Sequence, residues 1–527
     1  MEDMRDGFTR SQVEQVARRW SLSFDQQEAD ALLDAVEGVR AAYARVAALA
    51  ESSLPSTHPL PAQPVLPGGD PYNAWLWRLP AAESSADGVL SGRRLVIKDC
   101  IAVAGVPMTL GGSLLKDYLS PVDATAVARA REAGATIVGT AVCEDLCWSG
   151  SSFTSVTGAV RNPYDTERSS GGSTSGCAVL VAIGEADLAL GTDQGGSVRN
   201  PAAWSGVCGL KPTFGLVPYT GAFPFEFTLD HIGLLACEAS DIADLLDVVA
   251  GATQTDPRQS HLPTLPGSYS ETLTQRLSGL RIGVVQEGFA WPDISDSETD
   301  DACRRAAREL ESLGAVVEDV SVPMHRYAND LHVPVASEGS LATVFEQNSQ
   351  GSNRLGYYDA ELARAFSGAL RTSADRLPLN AKISLVAGSL LREATGSSVF
   401  AQAENLRGIL HQQYDRILKD FDVLVMPSVP MPAHALPPTD VSPAEHNRMS
   451  FEMHRNNCAL NLTGHPAMSV PCGLVRGLPV GLLVIGRHFD ERTVLRVAHQ
   501  YQSNICPCPS PPGVSARPRS TATARGR

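Results

Sequence analysis

A strand, helix, strand rhythm that occurs twice constrains the fold of this chain more than any other feature. Arg93-Arg-Leu-Val-Ile97 reads as a short strand, and residues 125–133 read as a helix capped by Asp123. Gly134 reads as its stop and Ala135-Thr-Ile-Val138 as a second buried strand. The order returns at residues 280–285, with the acidic helix start Ser297-Glu-Thr-Asp-Asp301, a helix to Leu313, Gly314, and a strand over 315–322. The acid run lacks the central glycine and terminal glutamate of a calcium loop, so it reads as helix capping. Continuous apolar strands joined through helices need cover on both faces, which predicts an α/β fold. Phe421-Asp-Val-Leu-Val-Met426 and Val480-Gly-Leu-Leu-Val-Ile485 add strands, and Asp490 opens a last helix to about Gln502. Between them, residues 324–420 carry helical periodicity and read as a helical lobe.

The ends of the chain read differently. Thr9-Arg-Ser-Gln12 has capping-box spacing ahead of one amphipathic helix, and residues 25–51 carry the apolar stripe of a longer one. A Pro/Gly/Ser-rich connector follows over 52–88. Residues 1–80 therefore read as a helical N-terminal extension, a usual dimerisation device, and 81–505 as the main domain. The Pro/Ser/Thr/Arg tail 506–527 is expected to be disordered.

Charge and cysteine usage exclude several functions. The 58 acidic against 43 basic side chains leave a formal charge of −15, which repels nucleic acid and anionic membranes. The charged start holds no signal sequence and no apolar run approaches a membrane span. Eleven cysteines without framework spacing suit a reducing, cytoplasmic compartment. Neither the Cys143/Cys147 nor the Cys506/Cys508 pair has the second half-site of a structural zinc centre, so no metal is implied. His231 and His465 stand alone and read as hydrogen-bonded structural residues. Ser113-Leu-Leu-Lys116 lacks the companion motifs of penicillin-recognising enzymes. Gly-x-Ser-x-Gly elbows, P-loops and dinucleotide fingerprints are absent.

Chemistry concentrates in Gly191-Thr-Asp-Gln-Gly-Gly-Ser-Val-Arg-Asn-Pro201. Glycines before Ser197 let backbone N–H groups approach a developing negative charge, so Ser197 reads as a nucleophile. Such a serine needs a base, and upstream stand a Gly/Ser run at 169–176 and Lys98, neither bringing a histidine. Lys98 closes an apolar strand, where burial would lower its pKa and free the neutral amine. A plain ion pair with Asp99 is the competing reading.

Three stretches resemble, in order and spacing, the amidase signature family: residues 96–109, Gly171-Gly-Ser-Thr-Ser-Gly176 and the 191–201 loop. Later blocks at 208–217, 229–233, 463–473 and 477–481 extend the likeness over about residues 90–502. The resemblance implies a large mixed β-sheet covered by helices on both faces. It also implies a catalytic trio of Ser197 as nucleophile, Ser173 as a bridging serine in a cis peptide, and Lys98 as base. The backbone N–H groups of Gln194, Gly195, Gly196 and Ser197 are then expected to hold the oxyanion, with Asp193 and Arg199 orienting the loop. Thr174 and Ser175 depart from the commoner family residues.

The closer likeness, carried by residues 141–150 and 212–224, is to bacterial aliphatic and aromatic amidases, some enantioselective. It makes Cys143, Leu146, Trp148 and Phe223 candidate walls of a small amide's pocket. The activity implied is hydrolysis of a carboxylic amide to acid and ammonia without a cofactor. The alternatives are an amidase-like component of an amidotransferase, an amidase of larger biosynthetic or peptide substrates, and an inactive binding protein on the same fold.

Overall fold

The computed structural model describes residues 8–51, 63–64, 69–80, 88–265, 267–351 and 355–514. The chain falls into two compact units, Met1–His58 and Pro59–Arg527. In the first, Thr9 opens the helix Arg10–Arg19 with a capping box: its hydroxyl accepts from the Gln12 N–H, and the Gln12 side chain accepts from the Thr9 N–H. The second helix, Gln26–Glu51, carries Val39, Tyr43, Val46 and Leu49 along one stripe, each more than half exposed.

Among the described residues of the second unit, twelve strands form one mixed sheet. They are β1 (Gln63–Pro64), β2 (Trp75–Arg78), β3 (Arg94–Lys98), β4 (Thr136–Ala141), β5 (Leu188–Asp193) and β6 (Cys208–Lys211), then β7 (His231–Ala236), β8 (Arg281–Val285), β9 (Val316–Val320), β10 (Val423–Pro427), β11 (Ala467–Val475) and β12 (Leu478–Gly486). Their spatial order is β1-β2-β4-β3-β5-β7-β6-β11-β12-β10-β8-β9. Pairing is parallel within β4-β3-β5 and β10-β8-β9 and antiparallel elsewhere. Alternate residues of the central strands enter different cores. Leu95, Ile97, Leu188 and Leu190 join one apolar cluster, while Val96 and Ala189 join another with the wholly buried helix Ser175–Ala182. The sheet therefore has apolar packing on both faces, as continuous apolar strands require.

Several expectations need amending. β2 lies inside the stretch read as a connector and pairs with β4, and the compact division comes at residue 58 instead of about 80. Four residues between Pro71 and Pro80 are too few to display a strand period. Asp123 does not cap the helix Thr125–Glu132; its carboxylate accepts from the Ala104 N–H and pairs with Arg131 at 3.1 Å. The expected disordered tail is packed where it starts, since Tyr164 donates its hydroxyl to the Pro509 carbonyl at 2.9 Å. Its residues 515–527, and much of the connector, lie outside the described residues. Between β9 and β10 lie the helices Ala328–Ser340, Ala360–Ser373, Leu379–Thr395 and Ser398–Ile417. No helix among the described residues is long and apolar enough to cross a membrane.

Candidate active site

Parallel pairing of β3 with β5 brings their C-terminal ends together, and the loop after β5 carries Ser197. Period two puts Lys98 on the face of Val96, toward the helix Ser175–Ala182 and the glycine loop before it. Lys98 is fully buried and donates to Ser173 Oγ at 2.8 Å and to Thr192 Oγ1 at 2.8 Å. The Gly172–Ser173 peptide is cis. Thr174 N–H donates to the Ser197 carbonyl at 3.1 Å, tying the two serine loops together. Among the described residues the two serine hydroxyls make no hydrogen bond to each other. Catalytic hydrogen bonds are often long before substrate binds.

Asp99 does not neutralise Lys98. It accepts from the Thr109 N–H and hydroxyl and from the Gly111 N–H, and burial pushes its carboxyl up to about 7. Thiols surround the lysine instead. Hydrogen bonds from Cys100 and Cys143 drive the Cys147 thiol well below its ordinary range, with Lys98 adding to the effect. Burial disfavours the Lys98 ammonium, yet Cys147, the one lowered thiol of the group, outweighs it and holds the lysine above its ordinary range, while burial pushes Cys100, Cys143 and Cys177 up and keeps them neutral. This direction reverses the expectation of a lysine lowered by burial, because the sequence does not reveal which charges the fold gathers.

Behind the loop sits a buried ion pair. Arg199 donates from Nε and Nη2 to Asp193 Oδ2 and Oδ1 at 3.0 and 2.8 Å, both side chains being fully buried. Asp193 also accepts from the N–H groups of Gly196 and Val198 and from Asn461 Nδ2. Burial works to raise its carboxyl, but Arg199 prevails and holds it far below the usual range. Through the Gly196 and Val198 N–H groups the pair is tied to the backbone of the loop. Gly196 is thereby removed from the expected oxyanion set, because its N–H is spent on Asp193 at 2.8 Å. Among the described residues no carbonyl or carboxylate accepts from the N–H of Gly195 or Ser197. Thr174 is accommodated by Gly191, where a Cβ would come within 2.4 Å of the threonine methyl.

Ser197 opens onto a cleft of about 370 Å³. Trp148 lines it, its indole N–H donating to Ser384 Oγ at 2.8 Å and its ring 4.5 Å edge-on to Phe225. The other expected wall residues, Cys143, Leu146 and Phe223, are buried in the core and do not line this cleft. Cys147 and Phe225 line it in their stead, together with Val333, Ile383 and Phe451. Two lining histidines carried no sequence signal. His332 donates to the Gln194 carbonyl at 2.9 Å, and a Cβ on Gly195 would meet the His454 ring at 2.9 Å, so a side chain there would displace that histidine. Burial lowers both, His454 to about 3, which makes each a neutral polar wall. Thr192 and Asn461 were also missed, although Thr192 stands inside the glycine-rich motif.

Comparison with known proteins agrees with this architecture. A model of the amidase family matches residues 74–495. An enantioselective amidase of Rhodococcus rhodochrous is 40% identical over 446 residues, 84% of this chain and 85% of that protein. A glutamyl-tRNA(Gln) amidotransferase subunit of Methanosarcina barkeri is 35% identical over 428 residues, 79% of this chain and 86% of that protein. The crystal structure of the corresponding glutamyl-tRNA(Gln) amidotransferase subunit from Thermotoga maritima superposes with a TM-score of 0.70 at 28% identity, covering 85% of this chain and 91% of that one. The chain therefore belongs to the amidase family. It is a hydrolase acting on amide carbon–nitrogen bonds.

Proposed function

We propose that the protein hydrolyses a small carboxylic amide to its acid and ammonia through an acyl-enzyme on Ser197. The observation that carries this reading is the buried 2.8 Å contact between Lys98 Nζ and Ser173 Oγ beneath the Ser197 loop. Neutral Lys98 takes the Ser173 proton as Ser173 takes that of Ser197, and Ser197 Oγ adds to the amide carbon. The N–H groups of Gln194, Gly195 and Ser197 stabilise the oxyanion. Collapse of the tetrahedral adduct breaks the carbon–nitrogen bond, the proton returns through Ser173 to the departing ammonia, and water then releases the acid. Cys147 holds the lysine proton, so the neutral base grows as pH rises and turnover climbs on the alkaline side.

The apolar walls from Trp148, Val333, Ile383 and Phe451 suit an aliphatic or aromatic acyl group. The relative at 40% identity, an enantioselective amidase, supports a free amidase that discriminates between chiral amides. Eleven free cysteines support a reducing, cytoplasmic setting. The exposed stripe of Val39, Tyr43 and Val46 supports the N-terminal helical pair as a homodimer element.

The test incubates the purified chain with propionamide, benzamide and chiral amides, assaying ammonia and trapping the acyl-enzyme by mass spectrometry. Ammonia release and an adduct on Ser197 are expected, and Ser197→Ala should lose about 10⁴-fold or more in kcat while melting like the wild type. Full activity of that variant would sink the assignment. Glutamine hydrolysis that appears only with added amidotransferase subunits would favour the amidotransferase reading.

A further inference from the structure

The histidines of this chain gather away from the cleft as well as around it. His411 and Asp415 stand four residues apart on one face of the helix Ser398–Ile417, and His488 follows the end of β12. One ligand atom from each of the three lies within 4.8 Å of the others. His411 Nδ1 lies 3.1 Å from Asp415 Oδ2, and its Nε2 lies 3.1 Å from His488 Nε2. His465, which reads as solitary in the sequence, places Nε2 at 3.1 Å from the other carboxylate oxygen, Asp415 Oδ1. The three imidazoles crowd one another, with ring centroids 5.0, 5.2 and 4.1 Å apart.

We propose that His411, Asp415 and His488 form a binding site for a divalent transition-metal ion of the zinc or nickel class. The argument is geometric. Two imidazole nitrogens bound tetrahedrally at 2.0–2.1 Å lie about 3.3 Å apart. The two facing Nε2 atoms are separated by 3.1 Å. Asp415 holds the Nδ1 side of His411, which leaves Nε2 as the ligand atom, in the arrangement by which carboxylates orient metal-binding histidines. Both Asp415 oxygens are taken, one by His411 Nδ1 and the other by His465 Nε2, so Asp415 acts as the orienting carboxylate and the ion is bound through His411 Nε2 and His488 Nε2. Imidazole ligands suit zinc and nickel better than copper(I), which thiolates would select. All three side chains are partly exposed, which leaves coordination positions for water and a path of entry.

Such an ion would be structural. It would clip the helix Ser398–Ile417 of the helical lobe to the end of β12 in the sheet. That helix packs on Ala328–Ser340, which carries the cleft residues His332 and Val333. Metal binding would therefore stiffen one wall of the substrate cleft without touching the reacting atoms.

The test uses the full chain, stripped with chelator and titrated calorimetrically with nickel chloride and then zinc chloride, alongside thermal melts. Binding of one ion per chain and a rise in melting temperature are expected. His488→Ala and His411→Gln should each weaken that binding at least tenfold and abolish the rise. Two variants on different elements guard against one failing to fold, and their metal-free melts should match the wild type. Binding that persists undiminished in both variants, as it would if cysteines or scattered surface histidines took the ion, overturns the proposal. So does the absence of binding or of a thermal shift in the wild type.

Discussion

The serine loop and the cleft above it are built in contrasting ways. Lys98, Ser173, Asp193 and Arg199 are fully buried, come from the ends of adjacent strands and the loops beside them, and are joined by hydrogen bonds of 2.8–3.0 Å. The walls come from the helical lobe and from the loops around Trp148 and Phe451, and include Val333 at 50% and Ile383 at 39% exposure. In the proposed mechanism the chemistry is thus held on rigid sheet ends, where a displacement of about 1 Å costs rate. Selectivity is assigned to a surface whose residues can be exchanged without disturbing it.

The contrast is broken most directly from the buried side. Asp193→Asn leaves Arg199 charged and unpaired in the interior, which costs about 3–5 kcal/mol of stability, and it loosens the N–H groups of Gly196 and Val198. Urea unfolding should show that loss together with collapsed turnover; a variant as stable and active as the wild type would mean the loop is held otherwise. On the cleft side, Ile383→Phe should leave stability nearly unchanged. It should lower kcat/KM for benzamide relative to propionamide by roughly tenfold or more, by narrowing an apolar wall. An unaltered ratio would remove Ile383 from the acyl pocket.

Cys147 sits at the border of the two regions, lining the cleft while acting on Lys98, and its replacement should have the mildest effect. In Cys147→Ala the counter-charge that raises Lys98 is gone, so the ammonium loses its proton at lower pH. The neutral base is then present at lower pH, and the acid limb of the kcat profile should move toward lower pH. A limb that stays in place, or moves upward, would show that Cys147 does not set the proton affinity of the lysine.

Legibility in the sequence follows the same division. Lys98, Ser173, Ser197, Asp193 and Arg199 sit in short stretches of unusual glycine- and serine-rich or apolar composition, which is what made the proposed site legible. The strands β3, β4, β8, β9, β10 and β12 showed as apolar runs between turn residues. β5, β6, β7 and β11 did not, because they overlap the motif blocks, where glycine, threonine, serine or proline interrupts the apolar run. Of the four wall residues expected, only Trp148 reaches the cleft. Within residues 141–150 no periodicity tells which side chain faces a cavity formed with helices some 200 residues away.

By itself, the sequence determined the α/β class and the capped first helix, since each depends on local backbone preference or on residue types at close spacing; the serine–serine–lysine trio it carried only as what the family resemblance implies. Only the tertiary structure decided that Gly196 serves Asp193 instead of an oxyanion, that thiols rather than Asp99 surround Lys98, and that His411, Asp415, His465 and His488 meet. These are contacts between residues distant in the chain, and the pKa of a buried group depends on every charge the fold brings beside it.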